Sequence, residues 1–155
     1  MSEVNGQIQA KGDYGNPSGT GVAGIELYGL TDEAHASVKS KLATLHAALV
    51  TAQLTATVAC DIGVNYIDPD YKVKPGSDVN IDRKIVCTWR KKTETAIRRL
   101  TIPGVPATST AISLTDAGER INDTGRTALQ TALEAAYGLD AGDVIVLTGV
   151  VLQPK

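Results

Sequence analysis

The sequence predicts an α+β fold: a two-layer sandwich in which two helices cover one face of a mixed or antiparallel sheet, preceded by an extended N-terminal arm. Three observations carry that prediction. Runs that alternate apolar and polar residues outnumber runs with helical spacing. Two segments carry a one-sided apolar stripe. The opening residues hold glycines and few large apolar side chains.

Residues 1–24 read as an arm. Gly6, Gly12, Gly15, Gly19, Gly21 and Gly24 punctuate the segment, with Asn16 and Pro17 between them. Such a stretch cannot offset its ordering entropy by its own burial, so it is expected to order only against another surface. Residues 25–155 form the domain. A short strand, Ile25–Tyr28, opens it. Thr31 or Asp32 then caps a helix over 32–49, whose stripe is Ala34, Val38, Leu42, Leu45 and Leu49. The period switches to two from Gln53 to Tyr66, which predicts a long strand. The Asp-Pro-Asp and Pro-Gly-Ser-Asp turns at 68–70 and 75–78 end it. Residues 79–91 and 96–102 alternate around a polar turn at 91–94 and predict a β-hairpin. A second helix is expected within 116–137, started by Asp116 or Asp123 and closed by Gly138. The last strand, 144–152, is apolar on both faces. The triads Leu30-Thr31-Asp32 and Leu114-Thr115-Asp116 form a faint internal echo.

Composition narrows the function classes. The chain has 155 residues, a net charge of −2, no Phe and only 4% aromatic residues. A core of small and β-branched side chains leaves little for an aromatic-lined ligand pocket. No apolar run reaches the roughly 20 residues of a membrane span, and the first residues, Met1-Ser2-Glu3-Val4-Asn5, lack the basic start and apolar stretch of a signal peptide, so an intracellular, membrane-free protein is expected. Two cysteines cannot build a disulfide scaffold.

Chemistry-bearing residues are sparse. Gly19–Gly24 fits G-x-G-x-x-G, but polar residues precede it and a strand follows, the reverse of a dinucleotide site. His35 and His46 lie eleven residues apart on one helix, about 16 Å along its axis, too far to share a metal. Cys60 and Cys87 fall on apolar strand faces and read as buried thiols, with a disulfide as the alternative. Asp61, Asp68, Asp70 and Asp78 surround one loop without the spacing of a calcium loop. No nucleophile, base and orienter fall together, so no enzyme, cofactor or metal is expected.

Two surfaces remain. The last strand leaves Ile145, Leu147 and Val151 on the face opposite the helices. Burying each is worth about 1.5–3 kcal/mol, so a cover is expected: the arm with its partner-binding residues Tyr14, Pro17 and Val22, a neighbouring subunit, or both, the alternative being loops of the same chain that seal a central strand. The hairpin gathers Arg83, Lys84, Arg90, Lys91, Lys92, Arg98 and Arg99 around Trp89. It predicts a solvated strand face or contact with an acidic protein partner, the alternative being a nucleic acid whose bases stack on Trp89.

Arm, small-residue domain and over-apolar last strand together resemble the small virion structural proteins of tailed phages, the capsid decoration (cement) proteins and tail components. The stretches Arg83-Lys84-Ile85-Val86-Cys87-Thr88-Trp89 and Arg99-Leu100-Thr101-Ile102-Pro103-Gly104 carry the likeness, along with the arm through Gly24. It is a resemblance of type. It implies an oligomeric protein in a virion that stabilises a shell or tube by contacting itself or a major structural subunit, and it transfers no site residue. The alternatives are a nucleic-acid-binding module on the hairpin, and a small cytoplasmic homo-oligomeric domain.

Overall fold

Alternation and helical spacing resolve into eight strands and two helices in the computed structural model, which describes residues 3–12, 21–31, 35–55, 61–64 and 83–152. The order is β1 (Glu3–Gly12), β2 (Gly21–Thr31), α1 (His35–Thr51), β3 (Asp61–Val64), β4 (Lys84–Lys91), β5 (Arg98–Pro103), β6 (Ile112–Thr115), β7 (Gly118–Ile121), α2 (Asp123–Tyr137) and β8 (Val144–Leu152). Two antiparallel sheets result, with strand orders β2-β1-β3 and β5-β4-β8-β7-β6. The α+β sandwich expected from the sequence is the observed architecture.

The helices form because their apolar spacing gives each one buried face. On α1, Val38, Leu42, Leu45 and Leu49 are all buried. The helix runs to Thr51 and closes on Gln53, whose φ of 60° is left-handed. Gln53 N–H bonds Val50 O at 3.1 Å and Leu54 N–H bonds Leu49 O at 3.0 Å, the paired bonds that satisfy a helix's last carbonyls. Residues 53–55, expected to begin a long strand, therefore form the helix exit, with Leu54 fully buried. A non-glycine residue held at positive φ is strained. Two contacts of Gln53 hold it there: its Oε1 accepts from Thr110 N–H at 2.7 Å, and its carbonyl accepts from Ser109 Oγ at 2.6 Å.

α2 starts later than Asp116. Its cap is Asn122, whose Oδ1 accepts from Gly125 N–H at 3.0 Å. Residues 112–121, which the sequence places partly in a helix, instead make the β6–β7 hairpin, with Asp116 in its turn. Gly138 closes α2 in the left-handed conformation, as its sequence position predicts. Glu134 is buried on α2, and its Oε2 accepts from Gly142 N–H at 2.7 Å and Val144 N–H at 3.1 Å. That carboxylate fixes the turn into β8.

The opening segment differs from the expected arm. Residues 3–12 are strand β1, paired with β2 from Glu3↔Thr31 to Gly12↔Gly21 and with β3 from Gly6↔Val64 to Gln9↔Asp61. Ile8 is 2% exposed in the core. The backbone ladder, rather than side-chain bulk, satisfies this glycine-rich stretch, which is why its composition concealed it.

Candidate functional site

The site is the face of the five-stranded sheet that turns away from α2. Alternation along β4 sends Ile85, Cys87 and Trp89 into the core, all at most 1% exposed. Val86, Thr88 and Arg90 point the other way, as does the exposed Lys84. Strand pairing extends the pattern sideways. Thr101, Val86, Val150 and Arg120 make one row across β5, β4, β8 and β7. Arg99, Thr88 and Thr148 make the next, and the two threonine hydroxyls hydrogen-bond at 2.7 Å. Lys84 pairs with Leu152, and Arg90 with Ile145.

One irregularity governs this face. The β4–β8 register shifts between Thr88↔Thr148 and Trp89↔Val146, so Leu147 is an extra residue in β8. The bulge inverts the parity of β8. Val144 and Val146 face the core before it, Gly149 and Val151 after it. Ile145 and Leu147 thus lie outward, as expected from sequence. Val151 does not: it pairs with Ile85 and packs against the core, which corrects its assignment to the docking face. The exposed large apolar side chains of β8 are Leu147 at 38% and Leu152 at 46%. A bulge leaves no mark in an unbroken apolar run, so the sequence could not reveal it.

The basic hairpin separates into different roles. Arg83 forms a two-pronged pair with Glu119, at 2.9 and 3.1 Å. Arg90 Nη1 donates to the carbonyls of Lys91, Lys92 and Glu94 at 3.2–3.3 Å and so braces the β4–β5 turn. Lys91 Nζ sits 5.5 Å from the Tyr137 ring centre and 3.8 Å from Glu94. Arg98 stacks over Trp89 and Tyr137 at 5.4 and 5.5 Å and donates to Tyr28 O at 2.8 Å. Trp89, expected to stack on a base, is 1% exposed and lies 5.1 Å from Tyr137. Lys92 is exposed in the turn. Lys84, Arg99 and Arg120 remain on the open face, with no ion-pair partner among the described residues. β4, β5 and β8 contain no Asp or Glu.

Between the edges of β2 and β5 lies a cleft of about 330 Å³, lined by Glu26, Tyr28, Trp89, Arg98, Leu100 and Tyr137. It is a joint between two strands and a helix. Tyr28 O accepts from both Arg98 Nη1 and Tyr137 Oη, the latter at 2.6 Å, and this carbonyl pins β2 to β5 and α2. At its mouth Tyr28 Oη donates to the Glu26 carboxylate, and that bond, reinforced by the negative charge, pushes the phenol up from its ordinary value.

The other candidates are placed as follows. Cys87 is a free, buried thiol pushed up to about 12 by burial. His35 and His46 both lie on α1. Within the Gly19–Gly24 stretch, residues 21–24 open β2, not a helix, so no helix N-terminus meets a phosphate there. Val22 sits on β2 opposite Lys11. Tyr14, Pro17, Cys60, Asp68, Asp70 and Asp78 lie outside the described residues. Among the described residues there is no cluster of metal-ligating side chains, and no helix is long and apolar enough to cross a membrane.

Sequence reasoning missed Val86, Thr88, Thr148 and Val150 as members of the face, although the inward positions of Ile85, Cys87 and Trp89 implied the first two. It missed Arg120 because the β6–β7 hairpin was hidden in an expected helix. No protein-family model, curated protein or solved structure matches the chain.

Proposed function

We propose that this protein is a structural subunit that works by protein–protein contact, with the open face of the five-stranded sheet as its docking surface. One observation carries the reading: α2 packs on one side of the five-stranded sheet, and the other side exposes Leu147 and Leu152 beside half-buried Ile145, Val86 and Val150. A sheet face bearing apolar side chains gains by being covered. The finer role is that of a decoration or tail component stabilising a virion shell or tube. It rests on the resemblance in type of the strand pair 83–104, and the arm does not support it, since residues 3–12 and 21–24 are strand.

The nucleic-acid alternative has less behind it. Trp89 is in the core, and Arg83, Arg90 and Arg98 are engaged with protein groups. The test is sedimentation of a lysate of the native source. The chain is expected in the fraction of large particles, and Val150→Glu, which puts a carboxylate in the middle of the face, is expected to return it to the fraction of free protein. Wild-type chain found only as free protein would refute the reading.

A further inference from the structure

We infer that the open face takes a partner protein whose contact patch carries carboxylates around apolar side chains, and not a second copy of the same face. The inference rests on the docking role proposed above and adds the chemistry of the partner. The exposed strands offer two kinds of group. Val86, Val150, Ile145, Leu147 and Leu152 offer apolar surface, and Thr88, Thr101 and Thr148 offer small, weakly polar surface. Around them stand Lys84, Arg99 and Arg120, with no ion-pair partner among the described residues. The acidic side chains nearest in the fold are already used: Glu119 holds Arg83, and Glu94 lies between Lys91 and Arg98.

Charge excludes the self-complementary arrangement. A two-fold contact between identical faces would gather Lys84, Arg99 and Arg120 of both copies into one interface, to which β4, β5 and β8 contribute no carboxylate. Like charges brought together in a partly desolvated contact oppose association. A partner bearing carboxylates turns the same cations into attractive groups, which also steer encounter.

Size sets the strength. With a rise of about 3.3 Å per residue and strands about 4.8 Å apart, β5, β4, β8 and β7, of 6, 8, 9 and 4 residues, present about 430 Å². A stable standard interface takes about 800 Å² from each partner. A single contact through this face is therefore weak and charge-assisted. It becomes firm where many copies bind a repetitive surface together.

The test has two arms. In the first, the purified full chain is titrated with a peptide of alternating Glu and Val and, separately, with an oligothymidylate of the same net charge, followed by amide chemical shifts. The peptide is expected to shift Val86, Thr88, Thr148 and Val150. Its affinity is expected to fall at least about fivefold from about 0.1 M to about 1 M salt, where the Debye length shrinks from about 10 Å to about 3 Å. The combined Lys84→Glu, Arg99→Glu and Arg120→Glu variant, folded by circular dichroism, is expected to lose binding. Unchanged affinity in that variant overturns the inference, as does tighter binding of the oligothymidylate at the same residues. In the second arm, the same variant is sedimented beside Val150→Glu. Release of Val150→Glu with retention of the charge-reversed chain overturns the acidic partner and leaves the docking role standing; a wild-type chain that never enters large particles refutes the docking role itself.

Discussion

Substituting Gly149 by Ala tests the bulge on which the identity of the docking face depends. If β8 alternated without interruption, Gly149 would share the open face with Ile145 and Leu147. A methyl group there would meet solvent, and replacing a strand glycine would gain about 0.5–1 kcal/mol. The bulge at Leu147 turns Gly149 inward instead. A Cβ at that position would lie 2.5 Å from Ile121 Cγ2, 3.2 Å from Ile121 Cβ and 3.3 Å from Cys87 Sγ. Ile121 is 6% exposed and Cys87 fully buried, so neither moves away freely. Overpacking of this kind costs about 1–3 kcal/mol, which outweighs the glycine gain and leaves a net loss of about 1–2 kcal/mol. In a chain of this length each kcal/mol moves Tm by about 2–4 °C, so a fall of several degrees is expected in a thermal scan. Ile121→Ala removes the obstructing atoms. In a double-mutant cycle Gly149→Ala is expected to cost less in that background, because residues in contact do not add. An unchanged or raised Tm for Gly149→Ala would refute the inverted parity and return Val151 to the docking face.

Other outcomes follow from the same geometry. Val151→Asp, like Val146→Asp, is expected to unfold the domain, while Val150→Asp leaves circular dichroism and Tm close to wild type. Because burial lifts Cys87 from 9.0 to about 12, the unfolded chain releases this proton first; the thiol's contribution to stability is full below about pH 9 and is lost as pH rises toward 12. Urea titrations of wild type and Cys87→Ala across that window should show a steeper decline in wild type. Glu134→Ala leaves the amides of Gly142 and Val144 without their carboxylate, and a loss of about 1.5–3 kcal/mol is expected in urea unfolding. Gln53→Ala keeps the strained φ and loses both bonds to Thr110, so it is expected to destabilise more than Gln53→Gly, which relieves the backbone.

The parts of the fold that periodicity encodes were legible. The stripe Val38, Leu42, Leu45 and Leu49 gives α1, the alternation Ile85, Cys87 and Trp89 gives β4, and Gly138 ends α2. The errors fall where a local signal competes with a tertiary one. Asp116 looks like a helix cap, but Ala111 O is bonded to Asn122 N–H, and Asn122 Nδ2 bonds Thr110 O, so the stretch between closes as a hairpin and the helix waits for Asn122. The glycines before residue 24 suggest freedom, yet the β1 ladder takes up their backbone groups, and Ile8 alone on that strand reaches the described core. Of the docking face, Ile145 and Leu147 were readable. Val151 is misplaced by one bulged residue, and Trp89, which alternation sets beside Ile85 and Cys87, is needed at the surface only by the nucleic-acid alternative.

The chain is built from one supersecondary unit used twice. β1, β2, α1 and β3 form a hairpin, helix and strand in which the first strand is central, flanked by the second and the last; β4, β5, α2 and β8 repeat that connectivity. Both helices end in the same paired bonds, Leu54 N–H to Leu49 O beside Gln53 and Leu139 N–H to Glu134 O beside Gly138. The second strands of the two units, β2 and β5, meet through the Tyr28 carbonyl and Arg98, and the two helices pack together. The triads noticed in the sequence are not this repeat. Leu30 and Thr31 end β2, whose counterpart β5 ends at Pro103, whereas Leu114 and Thr115 end β6. β6 and β7 have no counterpart in the connection from β2 to α1, and they widen only the second sheet, placing Arg120 opposite Val150 and Glu119 against Arg83. The insertion therefore distinguishes the two halves in charge: it neutralises one arginine at the margin of the face and adds another beyond β8. A version lacking residues 112–121 would exchange Arg120 for an Arg83 without Glu119, while Lys84 of β4 and Arg99 of β5 would stay, so the hairpin decides where the flanking cations stand and not whether the face carries them.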